Sequence, residues 1–416
     1  MLVYHIFVVF SMFFCLNQAM GFINKFKAKF KRQVYADNAS CTKPDKSVLK
    51  VIREAENLFA NPGSLHRPGV LARQKIEYSR SIVAGFIGAH SDEVIFTTSG
   101  TESDSLAILG VIEEATIFGI EIPHIIICEI EHSAILDLVK KLEQKNKIKV
   151  SYLKVDENGL INPKELFGLI NTETVLISVH LVNNEIGTLE PVKEIAKIVR
   201  QYKKLKNQTT YPLVHTDAAQ ATAYISININ QLGVDLLSFN GQKMYGPKGV
   251  GVLFVKRNTP IKIAFRGTEA LPQIAGLAQA CKITKLHQQK DFDNLTNLRE
   301  YFIEKLETEF KNICSVHLYA KNVLVSPHIL NVTFKNIASE TLILYLDARG
   351  IYVTGKSACK SGEPGESHVL EALKRAKMNE YKEGSVRFSF GRETKKSDVD
   401  YIIKSLKEIF KILNIN

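Results

Sequence analysis

Short apolar runs recur along this chain at strand length, over 94–97, 124–128, 150–153, 175–180, 213–216, 236–239 and 250–255. They are near-continuous in Val, Ile and Leu, the pattern of strands buried on both faces. Helical periodicity fills several of the gaps, at 101–115, 133–145, 163–171 and 192–205. Strands alternating with helices predict an α/β fold: a seven-stranded, mostly parallel sheet in an αβα sandwich. From about 290 the pattern changes. Amphipathic helical stretches at 295–312 and 396–411 flank shorter strands near 314–319, 329–334 and 385–390. The expectation is a large domain over 34–290, whose first residues are free to pack on a smaller α+β domain over 291–416. A linking helix over about 270–312, broken near 290, should join them.

The 416 residues carry a net charge of +11, which raises the question of a nucleic-acid partner. The distribution argues against one. Lys25, Lys27, Lys29, Lys31 and Arg32 crowd into an acid-free leader, and the remaining lysines sit among acids on solvated helix faces. The six cysteines are Cys15, Cys41, Cys128, Cys281, Cys314 and Cys359; they form no CxxC pair and show no metal-ligand spacing. A reducing compartment fits this usage. Residues 3–16 are strongly apolar but short for a membrane span, and their basic flank follows them where a secretory signal would place it before. An organelle or membrane leader, a signal anchor, and a translated region upstream of a start at Met20 all remain open. Residues 1–33 are therefore set apart from the fold, and a soluble cytoplasmic protein is expected.

Four motifs could carry chemistry. Thr97-Thr98-Ser99-Gly100-Thr101-Glu102-Ser103 leaves a strand and opens a helix, where free N–H groups suit a phosphate. An ordinary capped helix start fits it equally well. Val214-His215-Thr216-Asp217 puts an acid at the carboxyl end of a buried strand, where α/β folds bind ligands; a strand-end cap is the plainer reading. Ser238-Phe239-Asn240-Gly241-Gln242-Lys243 runs a strand into a turn with one lysine, which could form a Schiff base if desolvated. Taken singly, it reads as a surface-loop lysine. Thr354-Gly355-Lys356-Ser357-Ala358-Cys359-Lys360 sets a cysteine in a small basic loop that favours the thiolate. An incidental loop cysteine has equal weight until that loop is placed beside the others.

In combination, a phosphate turn, a strand-end acid and a Schiff-base lysine in this order resemble the fold type I pyridoxal-phosphate (PLP) enzymes. The Ser-Ala-Cys loop narrows the resemblance to the cysteine desulfurases, the NifS/IscS-like group of the class-V aminotransferases. Further matching stretches are Tyr35-Ala36-Asp37-Asn38-Ala39, Asn61-Pro62-Gly63-Ser64, Glu131-His132, Val182-Asn183-Asn184-Glu185, Gly267-Thr268 and Ser385-Val386-Arg387-Phe388. The resemblance runs from Tyr35 to about Leu413.

It implies that Lys243 holds PLP and moves protons at the substrate Cα, and that Asp217 pairs with the ring nitrogen. His132 would stack on the ring. Gln220 and Asn184 would contact the ring oxygen and the substrate, and Gly100, Thr101, Asn240 and Gln242 would surround the phosphate. Thr268 would reach that phosphate from the other subunit of a homodimer, and Arg387 would clamp the substrate carboxylate. The Cys359 thiolate would take sulfur from L-cysteine, releasing alanine, and pass it to an iron–sulfur scaffold or another sulfur acceptor. The loop carrying Cys359 must move to do so, and Cys359 could also serve as a transient iron–sulfur ligand.

Two features depart from the family. Gln242 and Asn240 stand where many relatives have His and Ser. A Gly-rich stretch that relatives carry before Arg266-Gly267-Thr268 is missing, with only Ala264 and Phe265 after Ile263. The second keeps open an inactive PLP-binding scaffold beside the desulfurase reading, and selenocysteine lyase is a further alternative on the same scaffold.

Overall fold

A computed structural model describes residues 32–263, 267–317, 323–355, 367–377 and 384–415. The leader and the Cys359 loop therefore lie outside the described residues. The strands are β1 (Val34–Tyr35), β2 (Val94–Thr97), β3 (His124–Cys128), β4 (Lys149–Leu153), β5 (Thr174–Ser178), β6 (Leu213–Asp217), β7 (Leu236–Asn240), β8 (Gly251–Val255), β9 (Cys314–His317), β10 (Ile329–Phe334), β11 (Ile351–Tyr352) and β12 (Ser385–Ser389).

Seven of them form one sheet in the order β2-β8-β7-β6-β5-β3-β4. Only β8 runs against its neighbours; the other pairings are parallel. Every residue of β3, β5 and β7 is buried, which is why these runs are apolar throughout and do not alternate. One face packs on the helix Gly100–Ile117 through Ala107, Ile108 and Val111, together with Ile135 and Val139 of the helix Ser133–Gln144. The other face buries Ile195, Ala196 and Val199 of the helix Val192–Leu205. The expected sandwich is present; the strand order reverses at β3, which has β4 on one side and β5 on the other, and the carboxyl ends of the parallel strands are where such folds bind ligands.

The C-terminal part is a three-stranded antiparallel sheet, β12-β10-β9, backed by the helix Lys396–Ile412. Phe302, Phe388 and Phe390 stack edge-on in its core. β1 pairs in parallel with β11, so the first described residues lie against this part. One expectation fails: the helix Leu271–Phe310 runs 40 residues with no break near 290. Its polar stretch is used in contacts. Gln288 Nε2 donates to the carbonyls of Thr222 and Ile225 at 3.0 and 2.8 Å, and Asp291 receives Arg392 Nε at 2.7 Å. Among the described residues, no helix is long and apolar enough to cross a membrane.

Candidate active site

The carboxyl ends of β3, β5, β6 and β7 converge on one cleft. β7 ends at Asn240 and passes into a single 3-10 turn, Gly241–Lys243. That turn swings the Lys243 amine onto the segment after β1, where Nζ donates to the carbonyls of Ala39 (2.5 Å) and Ser40 (2.7 Å). Burial, then the positive charge of Arg387, lowers the amine to about 8. A lysine so held is a far better nucleophile near neutral pH than one on the surface.

Asp217 ends β6, and its Oδ1 accepts the Ala219 N–H at 2.8 Å. One edge of the residue remains open to the cleft, but the carboxyl is desolvated enough that burial raises it to about 6. Lys243 and Asp217 lie close enough for each charge to act on the other. His132 caps the helix Ser133–Gln144, with Nδ1 accepting the Ala134 N–H at 3.2 Å. Burial first, then Lys243, drives its imidazole down to about 4. The ring is therefore neutral, with its proton on Nε2.

Arg387, on β12, is 2% exposed. Nη1 donates to the Asn184 carbonyl at 2.7 Å, while Nη2 donates to Asp37 Oδ1 at 2.9 Å and Ser40 Oγ at 2.7 Å. Gln220 is fixed from both ends. Its Nε2 donates to the Ala39 carbonyl at 2.9 Å, and its Oε1 lies 3.2 Å from His328 Nε2. Since Oε1 can only accept, His328 carries its proton on Nε2, and Ser326 Oγ, 2.7 Å from Nδ1, must be the donor there.

The phosphate turn opens the helix Gly100–Ile117. Ser99 Oγ caps it by accepting the Glu102 N–H at 3.1 Å. A Cβ on Gly100 would come within 2.7 Å of Asn240 Nδ2, so this backbone and this side chain need a glycine to meet. Asn240 Oδ1 is buried without a hydrogen-bond partner among the described residues. Thr101 is exposed at the helix start, and Gln242 contributes its carbonyl to Thr42 with its side chain half-buried. An amine of lowered basicity, a desolvated carboxylate, a helix start free of side-chain bulk and an orphaned polar atom together fit a cofactor carrying an aldehyde, a ring cation and a phosphate.

The structure thus brings together Lys243, Asp217, His132, Asn184, Gln220, Arg387, Asn240 and Gly100. Thr268 joins them only at the phosphate turn. It is exposed and lines a cavity of about 1210 Å³ with Thr97, Thr98 and Glu102, and Lys243 is not among the lining residues. Cys359 lies outside the described residues, as does Arg266. Sequence reasoning missed Ser40 and His328 as holders of the site and used Asp37 only as a motif letter. For Asp37 the signal was present, since a lone acid beside a strand destined for burial needs a cation. For His328 none was.

The aminotransferase class-V family matches residues 34–264 and 258–402. The cysteine desulfurase IscS of Dictyoglomus turgidum is 37% identical over 394 residues, covering 92% of this chain and 96% of that protein. The cysteine desulfurase IscS of Methanosarcina thermophila is 36% identical over 390 residues, covering 91% and 92%. Among solved structures, a NifS-like protein superposes with a TM-score of 0.81 at 30% identity, covering 92% of this chain and all of that one.

Proposed function

The chain belongs to the class-V aminotransferase family, and from that premise we propose that it is a PLP-dependent cysteine desulfurase. The observation that carries the reading is the meeting of the Lys243 amine and the Asp217 carboxyl in one desolvated cleft, with the Arg387 guanidinium beside them. When bound, PLP supplies an electron sink for charge developing at the substrate Cα.

The chain's own groups do the rest. Lys243 holds the cofactor and moves the proton at Cα. Asp217 keeps the ring-nitrogen proton in place, and neutral His132 presents a ring face and an N–H. Arg387 and Asn184 receive the substrate carboxylate. The Cys359 thiolate would attack the substrate sulfur; the sulfur–carbon bond breaks with its electron pair left on the substrate Cβ, which takes up a proton, so that the sulfur stays as a Cys359 persulfide and alanine departs. The persulfide then serves an acceptor protein such as an iron–sulfur scaffold.

The working form is a homodimer. Phe59 and Leu65 are 90% and 89% exposed, and a second copy would cover them. Thr268 faces the cavity beside the phosphate turn, where a second copy can bring its own loop.

The test is product analysis with L-cysteine. Wild type should release alanine and carry a persulfide on Cys359. Cys359→Ser should keep the cofactor and lose sulfide and persulfide output, and full sulfur release by that variant would refute the nucleophile. Comparing alanine release from cysteine and selenocysteine separates desulfurase from lyase, and no alanine from either would leave only a PLP-binding scaffold.

A further inference from the structure

Behind the cofactor residues lies a buried ionisable cluster that the reaction above does not use. His180 follows β5, Glu131 follows β3, and Glu190 sits in the turn before the helix Val192–Leu205; they are 3%, 0% and 3% exposed. Glu131 Oε1 accepts the His180 N–H at 2.6 Å. Its other oxygen lies 3.4 Å from His180 Nδ1, and Glu190 Oε1 lies 3.9 Å from His180 Nε2. Those two oxygens and Nδ1 are buried with no hydrogen-bond partner among the described residues, so they face mainly one another. Asn183 Nδ2, 3.5 Å from Nε2, is committed to the Ile130 carbonyl at 3.1 Å. Glu190 Oε2 accepts the Ile161 N–H at 3.1 Å.

The sheet register places this cluster under the site. Ser178 is opposite His215 in the parallel β5–β6 pair, and Leu181 N donates to the Asp217 carbonyl, so His180 and Asp217 share a face. Glu131 is the residue before His132, and its carbonyl lies 2.9 Å from His368 Nε2. The groups around His180 are therefore Glu131 from the turn after β3, Glu190 from the turn before the helix Val192–Leu205, Asp217 from the end of β6 and His132 from the helix start. Cys128 is held as the neutral thiol by burial, and Asp104 beyond Asp217 is likewise pushed up by burial. The Glu131 and Glu190 carboxyl groups buried in one place need a cation, and His180 is the basic group set between them; Asp217 has Lys243 as well.

We propose that His180 is a positioning residue of this active site: as an imidazolium between Glu131 and Glu190, it is the buried cation that balances their carboxyl groups and favours the charge on Asp217, fixing the turn that carries His132 and the charge that meets the cofactor ring. Burial alone would strip its proton, but Glu131, then Glu190 and Asp217, outweigh burial and push it up. Burial in turn raises Glu190 to about 7, so the cluster shares a proton near neutrality. The inference rests on the PLP reading of Lys243 and Asp217.

The experiment compares PLP dissociation constants of wild type, His180→Gln, and Glu131→Gln/His180→Gln at pH 6.5 and 8.5. PLP binding by wild type, abolished by Lys243→Ala, tests the underlying reading separately. Removing the imidazolium raises Asp217 from about 6, so at pH 6.5 His180→Gln should weaken PLP binding about threefold for the first unit of that rise and about tenfold for each further unit. The loss should shrink at pH 8.5, where Asp217 ionises in both proteins. The double variant removes the carboxylate that His180 balances and should regain most of the affinity. A loss equal at both pH values, no loss, or no recovery in the double variant would overturn the proposal. If His180→Gln does not fold, folded protein from the double variant supports the charge role, and none from either overturns it.

Discussion

Asp37 Oδ1 stands 2.9 Å from Arg387 Nη2, so the guanidinium assigned to the substrate carboxylate is already paired inside the protein. Nη2 spends both of its protons, on Asp37 and Ser40, while Nε has no partner among the described residues. Arg387→Ala removes a fully buried cation from Asp37, whose Oδ1 then keeps the Ser40 hydroxyl at 2.8 Å and partial contact with solvent. Breaking such a pair costs about 3–5 kcal/mol. Denaturant unfolding should show that loss, and kcat/KM for cysteine should fall about 100-fold or more. Arg387→Lys should recover part of the stability and little of the activity, because the fork geometry is lost.

Lys243 reacts with an aldehyde only as the free amine. With its proton leaving at about 8, the rate at which the apoprotein captures PLP should climb about tenfold per pH unit below 8 and level off above it. Stopped-flow absorbance at several pH values measures this directly. A plateau extending down to pH 6 would mean that Lys243 is far less basic than its burial and its neighbour Arg387 make it.

Gln220 Oε1 depends on the His328 N–H, and His328 depends on Ser326. His328→Ala leaves a buried amide oxygen unpaired, at a cost of about 1–3 kcal/mol. Because Gln220 shares the Ala39 carbonyl with Lys243, the variant should also change the absorption of the bound cofactor. Lost stability with an unaltered spectrum would confine His328 to a structural role.

Phe59 and Leu65 are the most exposed large apolar side chains described. The variant Phe59→Asp/Leu65→Asp should convert a dimer to a monomer in sedimentation and lower PLP affinity, since the second copy's Thr268 is then withdrawn. A monomeric wild type would remove that role for Thr268.

Much of this arrangement is visible in the residues themselves, because buried parallel strands announce themselves as apolar runs and their carboxyl ends as motifs. Asp217 and Lys243 both follow such runs. The helix Arg67–Ile87 was missed for a local reason. It opens on Arg67-Pro68-Gly69, which reads as a turn, although proline in the first helical turn costs nothing there. The unbroken helix Leu271–Phe310 was misread at its polar centre, because Gln288 and Asp291 meet partners far away in sequence. His180 was hidden inside an apolar run, 175–180, and its partner Glu190 comes from a turn that no periodicity places beside it.

The central claim is that one amine, Lys243, holds the cofactor against Asp217. Incubating the protein with PLP, reducing with borohydride and mapping the modified peptide by mass spectrometry tests it most directly. The account predicts one cofactor per chain, on Lys243, and a greatly reduced yield in Asp217→Ala. Stoichiometric modification of a different lysine, or an unmodified Lys243 in protein saturated with PLP, would contradict it.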